Sequence, residues 1–261
     1  RPVPGFSYFS SVEELLPGHY FDSTATGPRR YWELTSSEGE VFEQDRFESI
    51  LLESVEAHCL SDVPVVSMLS GGIDSALITK LSGVRNSYTV GLSANNEFEG
   101  ALDNAQEAQV TLRKVELTRD SLVETWKSLA RLRREPLSVP NEGLIFALCN
   151  ELAPEEKVIL TGEGADELGF GYDRIFRSAM VNNYDALDFM SMYGYGSKNS
   201  AGSMKRFWDY VDDLRRDKSY IEFVEDFFIS FHLPGLLRRM DFASMAASKE
   251  ARVPFVSVDL F

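Results

Sequence analysis

Two glycine-containing segments, each followed by acidic residues, carry the residue types best suited to chemistry. The first spans residues 70–75, with the sequence SGGIDS, and follows the apolar run 63–69. Its glycines lack Cβ atoms, so backbone N–H groups can turn toward one point, and a following helix start would add free N–H groups and a positive dipole end. The hydroxyls of Ser70 and Ser75 add further donors. The segment therefore suits a phosphate or a pyrophosphate.

Asp74 lies inside this segment and would repel a bare phosphate. It fits the segment if Mg²⁺ lies between them, because Mg²⁺ binds one or two carboxylates together with phosphate oxygens. No lysine follows the second glycine, so the segment is not a Walker-type loop. Taken alone, it is also compatible with an ordinary strand-to-helix turn in which Asp74 is a first-turn carboxylate.

The second segment, residues 158–167, has the sequence VILTGEGADE and repeats the order of strand, glycines and acidic residues. Gly162 and Gly164 would allow close backbone approach to a ligand. Glu163, Asp166 and Glu167 bring three carboxylates together at the end of a strand. Such a cluster is typical of a site around a cation or a reacting centre, and a solvated helix start is the alternative.

Apolar, β-rich runs alternate with helical patterns along the first two thirds of the chain. Strands are predicted at 63–69, 87–92, 110–117 and 158–160, and helices at 45–58, at 74–81, on a face formed by Leu102, Ala105, Ala108 and Leu112, at 122–133 and through Ile145 and Leu148. This alternation predicts an α/β fold: a parallel sheet with helices on both faces and ligands beyond the carboxyl ends of its strands. After Tyr172 no clear strand is predicted, and an aromatic-rich helical part follows.

Together the two segments resemble the synthetase domain of the asparagine synthetase and β-lactam synthetase family of ATP pyrophosphatases. Residues 70–75 resemble its pyrophosphate loop, 88–91 the strand whose backbone meets adenine, 160–172 its second signature, and 250–255 a later segment; 15–20 and 31–32 resemble the arm that precedes the domain. The resemblance implies an adenine nucleotide alpha-hydrolase-like fold. It also implies a linker arm at 1–40 and an ATP-pyrophosphatase synthetase domain at 41–261, helical from about 173 and truncated at its C-terminus.

The resemblance implies a mechanism and a role for individual residues. A carboxylate attacks the α-phosphorus of ATP, Mg²⁺ holds the pyrophosphate, and an amine or ammonia attacks the acyl-adenylate to form an amide. The ATP-binding residues implied in this way are Leu69, Ser70, Gly71, Gly72, Asp74, Ser75, Val90, Thr161 and Gly162, with Leu69 and Val90 lining the adenine pocket. Asp74 and Asp166 are the implied Mg²⁺ ligands, and Glu163 is the implied catalytic residue that assists deprotonation of the amine.

Within the family, residue 163 distinguishes two reactions. Ring-closing β-lactam synthetases carry tyrosine at this position, whereas Glu163 resembles the asparagine synthetase type. The sequence NEFE at 96–99 instead resembles the β-lactam enzymes, so a ring-closing reaction that makes a β-lactam or a peptide macrocycle remains an alternative. A non-catalytic nucleotide-binding subunit is a second alternative, and another enzyme with a pyrophosphatase loop, such as one that modifies tRNA, is a third.

Two family features are not found in this sequence. The glutaminase domain begins with a cysteine nucleophile, whereas this chain begins with Arg1. The family's catalytic lysine follows the segment that resembles 250–255, whereas this chain ends at Phe261, and Lys249 is not assigned that role. We therefore expect a fragment, one subunit or the ordered part of a longer protein. A glutaminase domain or subunit is a candidate partner, and a homo- or hetero-oligomer is an open expectation.

Composition limits the partners and the compartment. A formal net charge of -15 argues against nucleic acid as a partner, which leaves a small-molecule or peptide carboxylate and an amine as the expected substrates. No apolar run reaches the roughly 20 residues that span a membrane, and no signal peptide precedes the arm. The two cysteines, Cys59 and Cys149, lie in apolar helical patterns and are expected to be buried thiols, which favours the cytoplasm.

Overall fold

A computed structural model describes residues 2–34, 41–181, 186–194 and 205–261. The chain divides into two compact units. The helical unit comprises residues 1–38 and 169–235, and the sheet unit comprises residues 39–168 and 236–261. The domain boundaries expected from the sequence, at 40 and about 173, stay predictions, and positions 35–40 of the expected arm lie outside the described residues.

Seven strands and eleven α-helices are assigned within the described ranges. The strands are β1 (His19–Tyr20), β2 (Arg29–Arg30), β3 (Val65–Met68), β4 (Asn86–Leu92), β5 (Thr111–Leu117), β6 (Val158–Leu160) and β7 (Glu250–Arg252). The helices are α1 (Gln44–His58), α2 (Ile73–Ser82), α3 (Phe98–Ala108), α4 (Arg119–Arg133), α5 (Glu142–Glu151), α6 (Ala165–Leu168), α7 (Asp173–Val181), α8 (Ala186–Tyr193), α9 (Lys205–Arg215), α10 (Tyr220–Phe227) and α11 (Leu233–Ala246). A π-helical turn, Phe228–His232, joins α10 to α11.

The sheet unit contains a parallel sheet, as the sequence predicts, with five strands in the order β5-β4-β3-β6-β7. The prediction of no strand after Tyr172 was wrong, because β7 pairs with β6 at the edge of the sheet. Its three residues, EAR, carry charges at both ends and pair through their backbone, so their sequence lacks the apolar pattern of a strand. Leu112 also lies in β5 instead of on a helix, because Gln109 adopts a left-handed conformation (φ 58°) and ends α3.

Helices cover both faces of the sheet, as predicted. Val66, Tyr88 and Ile159 point to one face and pack with apolar residues of α4, α5 and α11. Val65 and Leu160 point to the other face and pack with residues of α1 and α2. Burying one such apolar side chain contributes about 1.5–3 kcal/mol, so the two cores hold the strand ends in a fixed position.

The helical unit has an aromatic core, in agreement with the prediction that the aromatic residues after Tyr172 are packed inside. Its fully buried phenylalanines are Phe189, Phe223, Phe227 and Phe228. His232 lies beside this core and its two ring nitrogens contact the hydroxyls of Tyr172 and Tyr193, at 3.0 and 2.7 Å. The buried polar atoms of this histidine are thereby satisfied within the core.

Both cysteines are free thiols, as predicted. Cys149 is fully buried in the sheet unit, and burial raises the pKa of its thiol to about 12. Cys59 is only partly buried, less than the sequence suggests. Across the described ranges, no helix combines the length and the apolar character that crossing a membrane requires.

Candidate active site

The two glycine-containing segments lie at the same edge of the sheet. β3 and β6 are parallel neighbours, with Ser67 opposite Leu160, so the segments that follow them leave the sheet side by side. Gly162 lies directly against the start of α2: a Cβ atom at this position would be 2.8 Å from the amide nitrogen of Ser75 and 2.9 Å from the carbonyl carbon of Asp74. Any larger residue would separate the two segments, which explains why glycine is needed here.

Residues 70–75 form a tight loop that ends in the first turn of α2. The Ser70 amide donates to Ser75 Oγ at 3.0 Å, and the Gly72 amide donates to Ser70 Oγ at 3.1 Å. Helix α2 starts at Gly72 without a side-chain cap. The loop therefore presents two hydroxyls and a helix N-terminus on one side, an arrangement that suits the oxygens of a pyrophosphate.

Helix α3 supports this loop through three residues on one of its faces, at positions i, i+3 and i+7. Asn104 Nδ2 donates to the Ser70 carbonyl at 2.9 Å, and Gly100 packs so closely that a Cβ atom there would lie 2.9 Å from Gly71 Cα. Glu97 accepts a hydrogen bond of 3.2 Å from the Gly71 amide. None of these three residues was among the predicted site residues. Their spacing in the sequence predicts one helical face, but only the contact with the loop shows that this face supports residues 70–75.

A cavity of about 580 Å³ opens beside the loop and is lined by Gly71, Gly72, Asn96, Glu97, Glu99 and Gly100. The Glu97 carboxylate forms part of its wall and occupies the Gly71 amide. A phosphate oxygen at that amide would have to displace this carboxylate, since one N–H group donates well to one acceptor.

Three carboxylates come together where the two segments meet. Burial raises the pKa of Asp74, and the neighbouring charges of Asp166 and Glu167 raise it further. Burial likewise raises the pKa of Asp166, with a second contribution from Glu167. Burial is the larger cause of both shifts, and the charge of neighbouring carboxylates is the second.

This arrangement fits a divalent cation bridged to phosphate. Within the described ranges, no group of three or more His, Cys, Asp or Glu residues has the geometry of a complete metal site. Mg²⁺ commonly takes only one or two carboxylates and completes its shell with phosphate oxygens and water, so two aspartates are sufficient. Asp74 and Asp166, whose carboxylates interact electrostatically, are the residues that would hold the cation.

Glu163, the predicted catalytic residue, is held by an arginine that the sequence analysis did not identify. Arg239 of α11 donates from Nη2 to both carboxylate oxygens of Glu163, at 2.6 and 2.7 Å. The Glu163 amide donates to Thr161 Oγ1 at 3.3 Å, and the next residue, Gly164, has a left-handed φ of 96°. This turn places the side chain of Glu163 next to α11.

The predicted adenine-pocket residues lie near the same edge. Leu69 directly precedes the loop, and its amide bonds to the Tyr88 carbonyl at 2.8 Å, which brings Val90 of β4 level with the start of the loop. The side chain of Leu69 is buried, with 1% exposed, so only its backbone can meet a ligand in this conformation. The adenine pocket itself stays a prediction.

Lys249 lies at the opposite end of the sheet. Its Nζ donates to the carbonyls of Ala153 and Glu156, at 2.9 and 2.5 Å, immediately before β6 begins. Burial lowers the pKa of this lysine. Because β6 runs from this end toward the glycine segments, Lys249 lies at the amino end of the sheet, away from them. It is not assigned a catalytic role.

A second acidic cluster in the sheet unit is neutralised by arginines. Arg133 pairs with Glu142 at 2.5 Å and with Glu135 at 3.2 Å, and Arg238 pairs with both oxygens of Glu135 at 3.1 Å. One Glu142 oxygen also accepts bonds from the Ser138 amide and hydroxyl. These carboxylates are nearly fully buried and satisfied by protein groups, so they serve the fold.

Comparison with known proteins adds an independent finding. The family described as Asparagine synthase matches residues 46–261. The chain is 23% identical to asparagine synthetase [glutamine-hydrolyzing] 3 of Bacillus subtilis, over 97% of this chain and 48% of that protein. It is 30% identical to amidase chyE of Penicillium rubens, over 69% of this chain and 31% of that protein. The chain thus spans about half the length of the first relative and about a third of the second.

Among solved structures, an NH3-dependent NAD synthetase from Campylobacter jejuni is similar with 17% identity and a TM-score of 0.39. The match covers 75% of this chain and 97% of that one. At this TM-score the similarity carries no argument about the fold or the site.

Proposed function

Because the chain belongs to the asparagine synthase family, we propose that it catalyses ATP-dependent amide formation through an acyl-adenylate. A substrate carboxylate oxygen bonds to the α-phosphorus of ATP, and the bond from this phosphorus to the pyrophosphate oxygen breaks. The nitrogen of ammonia or an amine then bonds to the acyl carbon, the bond to AMP breaks, and the amine gives up a proton. The products are the amide, AMP and pyrophosphate.

The observation that carries this proposal is the contact between the two glycine segments. Gly162 lies within van der Waals distance of the first turn of α2, which brings Asp74 next to Asp166 below the loop at 70–72. An anion-binding loop and a pair of neighbouring carboxylates suit a reaction in which a cation-bound pyrophosphate is the leaving group.

Each group has a distinct part in the proposed reaction. The hydroxyls of Ser70 and Ser75 and the amides of the loop hold the pyrophosphate, while Asp74 and Asp166 hold Mg²⁺. When bound, Mg²⁺ offsets the negative charge that develops on the departing pyrophosphate. Thr161 and Gly162 contact the nucleotide from the second segment, and Leu69 and Val90 lie toward the adenine.

Glu163 is proposed to accept the proton from the attacking nitrogen. It lies within the second segment, and 24% of its side chain is exposed, so an incoming amine can reach it. A glutamate at this position favours the intermolecular, asparagine synthetase-like reaction over ring closure. Ammonia released by a glutaminase domain or subunit is the proposed nitrogen source, and the cytoplasm is the proposed compartment.

The test uses the complete protein with ATP, Mg²⁺ and candidate carboxylic acids labelled with ¹⁸O. We expect AMP and pyrophosphate, with one labelled oxygen transferred from the acid to AMP, because the carboxylate oxygen that attacks phosphorus remains there when the amide forms. ADP and orthophosphate as the only nucleotide products would contradict the proposal. Asp74→Asn protein is the matched control for contaminating ATPases.

A further inference from the structure

Two consecutive arginines of α11 bind two different carboxylates. Arg238 pairs with Glu135 in the buried network, whereas Arg239 pairs with Glu163 at the end of the second segment. The Arg239 side chain is only 7% exposed, and its Nη1 also donates to Asn141 Oδ1 at 3.3 Å. Helix α11 therefore places the positive charge of Arg239 next to Glu163, the proposed base.

The Arg239–Glu163 contact controls the orientation of the carboxylate. A single nitrogen, Nη2, lies 2.6 Å from one oxygen and 2.7 Å from the other, so both carboxylate oxygens are directed toward α11. The guanidinium is held in turn by the bond from its Nη1 to Asn141.

We propose that Arg239 is a positioning residue that orients Glu163 toward the nitrogen that attacks the acyl-adenylate. This inference rests on the proposed function. During the second step, the amine nitrogen bonds to the acyl carbon, its proton passes to one oxygen of Glu163, and the bond from carbon to AMP breaks. Arg239 keeps its hydrogen bond to the other oxygen, so the carboxylate does not rotate away while it accepts the proton.

The proposal separates the two steps of the reaction. Adenylation needs the pyrophosphate loop and the aspartates, which Arg239 does not contact, whereas amide formation needs an oriented Glu163. A role in folding alone would lower both steps together. The ratio of acyl-adenylate to amide in a single turnover is therefore a readout that a purely structural residue would not change.

The experiment compares Arg239→Met, Arg239→Lys, Glu163→Gln and the double variant by rapid quench in the complete protein. We expect Arg239→Met to form acyl-adenylate within about threefold of the wild type and to form amide roughly a hundredfold more slowly. Arg239→Lys should recover part of this loss, since it keeps the charge without the planar guanidinium. The double variant should be no slower than Glu163→Gln, because both changes remove one function.

Arg238→Met is the matched control, since Arg238 is the preceding residue of the same helix and pairs with Glu135. It should lower thermal stability and leave the ratio of adenylate to amide unchanged. Equal loss of both steps in Arg239→Met and Arg239→Lys, or multiplicative losses in the double variant, would overturn the proposal.

A measurement that needs neither substrate nor nucleotide separates this inference from the proposed function. A double-mutant cycle on thermal unfolding should show coupling between Arg239 and Glu163, and none between Arg238 and Glu163. If the wild type releases no AMP and pyrophosphate, the proposed function fails, whatever the cycle shows. If the cycle shows no coupling, Arg239 does not hold Glu163 in solution and the positioning role is refuted.

Discussion

The sheet unit contains two acidic clusters that differ in how their charge is balanced. Around Glu135 and Glu142, Arg133 and Arg238 neutralise carboxylates that are almost completely buried. Where the glycine segments meet, burial raises the pKa values of Asp74 and Asp166, and the charge of Asp166 raises that of Asp74 further. The carboxylates of the first cluster are paired within the protein, whereas we propose that the second cluster binds a cation.

The difference shows how to separate structural from functional carboxylates in one fold. Carboxylates that serve the structure are matched by arginine and backbone donors, because a buried charge without a partner is strongly destabilising. Carboxylates that serve chemistry keep part of their charge available for a ligand. Glu163 lies between these cases, since Arg239 holds it while about a quarter of its side chain stays exposed.

The largest effect is expected from Asp74 and Asp166, the proposed Mg²⁺ ligands. Asp74→Asn and Asp166→Asn should each slow acyl-adenylate formation on the order of a thousandfold, because the pyrophosphate loses its metal-assisted charge balance. Pyrophosphate release measures this rate, and circular dichroism checks that the fold is retained. Asp103→Asn, an exposed aspartate on α3, is the control and should react at the wild-type rate. Near-normal rates in Asp74→Asn and Asp166→Asn would make these residues ordinary helix-start carboxylates.

Removing a cation from the cluster around Glu135 and Glu142 should lower the stability of the fold. Arg133→Met leaves Glu142 fully buried without its cation and should lower the free energy of unfolding by about 3–5 kcal/mol, as measured by urea denaturation. Lys127→Met, which removes an exposed ion pair with Glu124, should change it by less than about 1 kcal/mol. Similar small losses in both variants would show that the buried network does not stabilise the fold.

The close approach of the two glycine segments gives the next effect. Gly162→Ala should lower the free energy of unfolding by about 1–3 kcal/mol and weaken ATP binding, because its Cβ atom would push the second segment away from Ser75 and Asp74. Isothermal titration with ATP and Mg²⁺ measures the binding. Gly27→Ala, where a Cβ atom meets nothing within 4 Å, is the control. Unchanged ATP affinity in Gly162→Ala would mean that the segments act separately.

The smallest effect concerns pH. Because burial and Glu167 raise the pKa of Asp166 in the folded protein, its ionised form destabilises the fold at neutral pH. Asp166→Asn should therefore be slightly more stable than the wild type near pH 7 without metal, and the difference should be small because solvent screens this exposed carboxylate. This advantage should shrink as the pH falls through the raised pKa and vanish below the unfolded value. Thermal melts from pH 3 to pH 7 in EDTA measure it, and a constant difference would contradict the assignment.

Local order in the sequence determined much of the fold. The alternation of apolar runs and helical faces was sufficient to predict four parallel strands and helices on both faces of the sheet. The carboxyl ends of parallel strands share one edge, so the position of the glycines after two strands also placed both segments at the edge where ligands bind. Each of these inferences used patterns that repeat within a few residues, which is the range over which periodicity carries information.

Only the tertiary structure decided which distant residues complete the site. Arg239 reaches Glu163 from 76 positions away, and Glu97 reaches Gly71 from 26 positions away. Strand β7 likewise formed through backbone pairing with β6 and not through an apolar pattern of its own. Contacts of this kind depend on how helices pack on the sheet. The sequence of a helix does not show whether one of its arginines faces water or a carboxylate. The two glycine segments could therefore be recognised from local sequence, whereas the residues that pair with them were determined by the packing of helices on the sheet.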